Sequence, residues 1–108
     1  MTDLTNLTIG AMRDGLRAKS FSAVELTDSH IAAVESARAL NAFIVETPDH
    51  ARAGAAAADA ALAKGELWGP LHGLPMTVKE SFDLAGSPSA HGIPAWRDNI
   101  ASEDSTVV

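Results

Sequence analysis

Spaced apolar positions divide the first two thirds of this chain into three helices. Ile9, Met12 and Leu16 recur at intervals of three and four. Thr8 stands before them with a hydroxyl suited to the open amides of a first turn, so a helix is predicted from there to near Lys19. Ser22 opens a second helix, and Glu25, three residues on, completes an S-x-x-E capping box. Its inward face is expected to be Ala23, Leu26, Thr27, His30, Ile31 and Val34, with Glu25, Asp28 and Glu35 in water. A third start signal follows at Thr47-Pro48-Asp49, with Thr as cap, Pro at the first helical position and an acid in the first turn. This helix is predicted to run to about Lys64 and stop at Gly65. Ala51, Ala55, Ala58 and Leu62 form one stripe of it, small enough to let it lie close to whatever it covers.

Elsewhere the helical period is missing. Asn41-Ala42-Phe43-Ile44-Val45-Glu46 is rich in β-branched and aromatic residues and reads as a short strand. Two Gly and two Pro fall within the seven positions from Gly69 to Pro75, fixing the backbone path before another apolar run. In that run Met76 and Val78 face one way and Thr77 and Lys79 the other, which predicts a strand with a lysine at its end. Gly, Pro and Ser are then dense enough from Asp83 to Pro94 to exclude regular structure. Glu103-Asp104-Ser105-Thr106-Val107-Val108 reads as the opening turn of another helix. A single turn does not hold alone, so residues 1–108 are expected to be the N-terminal portion of one longer, apparently truncated domain.

Composition narrows the function classes. Of 108 residues 21 are Ala and five are aromatic, so the core available within this length is thin. A net charge of −6 and a pI near 5.0 argue against direct nucleic-acid binding, which favours clustered Lys and Arg. No apolar run approaches the roughly 20 residues of a membrane span, and the N-terminus has no basic-then-apolar leader. Without Cys there is neither a disulfide framework nor thiolate chemistry. The expectation is a cytoplasmic protein.

Candidate chemistry is sparse. The four histidines, His30, His50, His72 and His91, have no metal-ligand spacing, so no metal site is expected. His30 reads as a hydrogen-bonded core histidine. His72 and His91 flank the lysine run, in loops where packing is the commoner role. Glu80 and Asp83 suggest a carboxylate pair, but neighbours of a strand lysine are more often solvated or salt-bridged. Gly69 to Lys79 is no phosphate loop, since the lysine is not preceded by the required glycine. Lys79 itself is open to two readings, a snorkelling surface amine or a placed functional one.

The surroundings of Lys79 favour the second. The stretch Trp68-Gly69-Pro70-Leu71-His72-Gly73-Leu74-Pro75-Met76-Thr77-Val78-Lys79-Glu80-Ser81-Phe82-Asp83-Leu84-Ala85-Gly86 resembles the N-terminal hallmark of the amidase signature family. There, a G-P-L-x-G-[ILV]-P segment leads into a strand whose lysine is catalytic. The resemblance extends over the whole chain. The two leading helices, the Leu40-Asn41-Ala42-Phe43 strand and the Ala-rich helix with Asp59 and Gly65 follow the family's order. So do the Gly86-to-Gly92 loop and the closing Asp104-Ser105-Thr106-Val107-Val108.

The fold this implies is α/β, the N-terminal part of the mixed-sheet amidase signature fold. The implied activity is hydrolysis of a small-molecule carboxamide by a Ser–cis-Ser–Lys triad, without metal or organic cofactor. One serine attacks the carbonyl, a second relays the proton, and Lys79 acts as base toward the relay. For that role the amine must rest neutral, which burial promotes. Both serines of the family lie in Gly/Ser-rich segments well downstream. Ser81, Ser87 and Ser89 are not in that context, so the 108 residues alone are expected to be inactive. Glu80 stands where tRNA amidotransferase subunits usually carry Asp, and His72 where they often carry a small residue. Both point toward the stand-alone amidases, with the A subunit of a glutamyl-tRNA amidotransferase as the alternative. A reading of another class is a small non-catalytic helical interaction protein, whose uncovered apolar faces are compatible with homo-oligomers.

Overall fold

The computed structural model describes residues 3–108, which form two compact units. The first comprises the described residues up to Ala42 together with Thr47–Pro75. It contains α1 (Ile9–Arg17), α2 (Ala23–Ser36) and α3 (Pro48–Ala63), with a 3-10 turn at Arg38–Leu40. The start and stop residues do their expected work at most ends. Thr8 Oγ1 accepts the Ala11 amide at 3.1 Å. At α2 the box is reciprocal: Glu25 donates its amide to Ser22 Oγ at 3.0 Å, and Ser22 donates its own to Glu25 Oε2 at 2.7 Å. Gly65 turns left-handed after α3 with φ +77°, and the amides of Gly65 and Glu66 return to the carbonyls of Leu62 and Ala61. Thr47 departs from expectation. It occupies the cap position of α3, but its side chain makes no capping hydrogen bond.

The core of this unit is Leu4, Leu16, Ala23, Leu26, Ala55 and Ala58, with Leu7, Met12, Phe21, Val24 and Leu74 packed against it. Leu26 is completely buried. α2 and α3 pack together, and the side chains α3 buries are Ala55, Ala58 and Ala61. The buried stripe is therefore rotated from the predicted one, with Ala51 and Leu62 left at its half-buried flanks. Ile9, predicted to face inward, is 63% exposed. Close approach also shapes the α1 end, where a side chain at Gly15 would collide with the Phe21 ring. His30 donates from Nδ1 to the Leu26 carbonyl one turn back at 2.9 Å, the expected core role.

The second unit comprises Phe43–Glu46 and Met76–Val108. Its one regular element among the described residues is a 3-10 turn at Pro94–Trp96. Main-chain contacts between the Gly86–Ser89 and Asn99–Ala101 stretches order it, around an isolated antiparallel bridge of Pro88 with Ile100. Gly86 and Ser89 donate to the carbonyls of Ala101 and Asn99 at 2.8 Å each, and Ala101 donates to Ser87 at 3.0 Å. The two predicted strands, at 41–46 and 76–79, have no ladder among the described residues. A strand exists only by pairing, and neither segment finds a partner edge here. Ile44 is 77% and Met76 66% exposed as a result. The helix predicted to open at Glu103 does not form either, because one turn cannot offset the cost of its nucleation.

Candidate active-site segment

Lys79 lies in the second unit, just beyond the Gly/Pro-rich approach. It is exposed, and its amine has no partner among the described residues. The burial expected of a lysine that rests neutral is thus not provided by these residues. The backbone below it is tied more firmly. The Lys79 carbonyl accepts the Phe82 amide at 2.9 Å. Glu80 Oε1 accepts the Ala90 amide at 3.1 Å. Asp83 takes part through its main-chain carbonyl, which accepts from Ser105 at 2.9 Å, while Asp104 Oδ1 accepts the Ala85 amide at 2.8 Å. No contact joins the Glu80 and Asp83 carboxylates among the described residues. Each joins its own part of the loop.

Among the serines of this unit, Ser89 is a framework residue. Ser89 is 2% exposed and held by Asn99, whose carbonyl accepts its amide and whose side-chain amide donates to its carbonyl at 3.0 Å. Its hydroxyl lies 3.4 Å from His91 Nε2. His91 is exposed, adopts φ +52° and meets the Trp96 ring edge-on, their centroids 6.2 Å apart. Ser105 Oγ is buried without a partner.

His72, in the first unit, is a structural tie. The Trp68 amide donates to its Nδ1 at 3.1 Å, so the proton of the neutral ring sits on Nε2, which donates to the Ala58 carbonyl at 2.8 Å. The next residue, Gly73, adopts φ +76°, with a Cβ there falling 3.3 Å from Ala23 Cβ and Leu16 Cδ1. This seats the approach loop against the helices. Asp59 is the residue whose role sequence reasoning missed. Its two carboxylate oxygens accept the amides of Ala23 and Val24 at 2.7 and 3.1 Å, closing the N-terminus of α2 from outside. The available signal was a lone acid amid alanines on a helix otherwise suited to burial. No group of three metal-ligating side chains gathers among the described residues, and no helix there is long and apolar enough to cross a membrane.

The family model described as Amidase matches residues 25–108. The chain belongs to the amidase family. Among its relatives, the A subunit of a glutamyl-tRNA(Gln) amidotransferase from Rhodopseudomonas palustris strain BisB18 is 62% identical over 86 residues, 80% of this chain and 17% of that protein. The protein of the same name from Nitrobacter hamburgensis is 58% identical over 87 residues, 81% of this chain and 18% of that one. A solved structure matches with a TM-score of 0.84 and 31% identity, over 91% of this chain and 22% of the other. It is described as a vestigial protein complex that reveals the origins of an s-triazine catabolic enzyme, in inhibitor-bound form.

These matches identify the chain as a helical N-terminal part of an α/β amidase signature domain, and its enzyme family as of hydrolase or amidotransferase type. They do not support the placement nearer the stand-alone amidases. The two residues behind that placement, Glu80 and His72, are engaged with Ala90 and with Trp68 and Ala58. Their identities follow from local packing as readily as from a substrate.

Proposed function

We propose that this chain is the lysine-bearing segment of the A subunit of a glutamyl-tRNA(Gln) amidotransferase, whose reaction begins with serine-mediated cleavage of a carboxamide. The observation that carries the reading is the 62% identity to a protein of that name across the stretch holding Lys79. The chain spans 17% of that relative's length, so the rest of the machinery lies in the remainder of such a protein. In the proposed reaction a serine supplied by that remainder attacks the amide carbonyl, and a second serine relays its proton toward the Lys79 amine. Collapse of the tetrahedral intermediate expels ammonia, with the proton returned to the leaving nitrogen, and leaves an acyl-serine that water hydrolyses. The exposed, unpartnered amine of Lys79 fits a group completed by residues outside this segment. No metal or organic cofactor takes part in this scheme.

A tRNA acceptor comes into view with the relatives' name. With eight Lys and Arg against fourteen Asp and Glu, this segment offers it little, and contact with it is assigned to other parts of the assembly. A cytoplasmic location belongs to the same reading. A stand-alone amide hydrolase is the second reading, favoured by the structural neighbour whose description concerns an s-triazine catabolic enzyme. One experiment tests both. In a full-length protein carrying this segment, Lys79→Ala is expected to lower ammonia release from a carboxamide by at least about 1,000-fold, as loss of a triad member does. Delivery of the ammonia to glutamyl-tRNA identifies the amidotransferase, and its release to water alone identifies the hydrolase. Full activity in the variant would sink the role given to Lys79.

A further inference from the structure

The Lys79 amine has no contact of its own among the described residues, so what these residues hold in place is the backbone from which it leaves. That backbone is held at two places. Behind it, the Phe82 amide closes a turn on the Lys79 carbonyl. Beside it, the Glu80 carboxylate accepts the Ala90 amide at 3.1 Å in a part-buried setting. Ala90 follows Ser89, which is 2% exposed and gripped on both its main-chain groups by Asn99. The Glu80 contact thus ties the lysine segment to the best-anchored point of the loop. Asp83 and Asp104 do not share this task, since their bonds go to Ser105 and Ala85.

We infer that Glu80 is a positioning residue for the reaction proposed above, and that by holding the Ala90 amide it fixes the direction in which Lys79 leaves the chain. The inference rests on the reading of Lys79 as the base. A charge-assisted bond to a main-chain amide is stronger than a neutral one, which suits it to holding a register. Displacing a catalytic group by about 1 Å can lower the rate on the order of 100-fold, so a small relaxation here is enough to register.

The test is steady-state hydrolysis of a primary carboxamide by a full-length enzyme carrying the segment. Glu80→Ala and Glu80→Met both remove the acceptor, and the methionine keeps the stem. Each is expected to lower kcat by about 10- to 100-fold while KM stays within about twofold. Glu80→Gln, whose amide oxygen can still accept from Ala90, is expected to recover kcat to within about threefold of wild type. Thermal melts accompany all three. Should Glu80→Ala fail to fold, Glu80→Met decides. Full kcat in Glu80→Met overturns the inference, as does a loss confined to KM or a Glu80→Gln no better than Glu80→Met. If Glu80→Gln also fails to fold, Glu80 holds the fold rather than the lysine, and the inference fails. An active Lys79→Ala is a separate outcome, which removes the underlying reading and this inference together.

Discussion

In the unit built from α1, α2 and α3, order comes from apolar contact: Leu16, Ala23, Leu26 and the alanines of α3 close over one another, and caps finish the helix ends. In the unit that carries Lys79, order comes from main-chain amides meeting carbonyls and carboxylates, while Phe82, Trp96 and Ile100 remain 46%, 51% and 53% exposed. The difference separates two tasks. Apolar packing is non-directional and roughly additive in buried area, so it makes a robust platform from very simple residues. Hydrogen bonds are directional and contribute little net stability, so they are better at fixing where a particular group sits than at holding a domain together. The candidate catalytic amine is on the second kind of structure.

The contrast between the two units breaks most visibly in the helices. Leu26→Ala removes the completely buried side chain of the helical unit and should cost about 2–5 kcal/mol, read as a shift of the urea midpoint followed by helical circular dichroism. An unmoved midpoint would mean that the core is not what holds the helices. In the loop unit, Asn99→Ala deletes the 3.0 Å bond to the Ser89 carbonyl and should cost about 0.5–1.5 kcal/mol. Its signature is local: faster amide exchange at Ser89 and Ala90, with protection in α2 and α3 unchanged. Loss of protection in the helices would erase the distinction between the two units. The smallest effect is expected from Arg52→Met. Arg52 bonds Asp28 at 2.7 Å and sits 3.7 Å from Asp49, but all three side chains are well exposed. The midpoint should move slightly in low salt and not at all in high salt.

What was legible in the sequence divides along the same line. The caps at Thr8, Ser22 with Glu25, and Gly65 were readable because each partner lies within four residues in the chain. Leu26 was readable because helical spacing announces a buried face. The 41–46 and 76–79 segments, read as short strands of a larger mixed sheet, form no ladder among the described residues, because propensity reports suitability for a sheet and cannot supply the neighbouring strand. Asp59 acts on Ala23 and Val24, 36 and 35 residues away, a distance over which spacing carries no signal. Lys79 was singled out by its surrounding motif alone. The bond from Ala90 to Glu80 could not have been anticipated from either residue type.

The clasp at His72 has a consequence for reagents as well as for packing. With Nδ1 accepting from Trp68 and Nε2 donating to Ala58, the ring has one tautomer and no free lone pair. A metal ion or an acylating agent needs that lone pair, and would have to pull the approach loop off α3 to reach it. His50 and His91 stand exposed by contrast, so imidazole-directed chemistry should mark them while leaving the histidine within the lysine motif untouched.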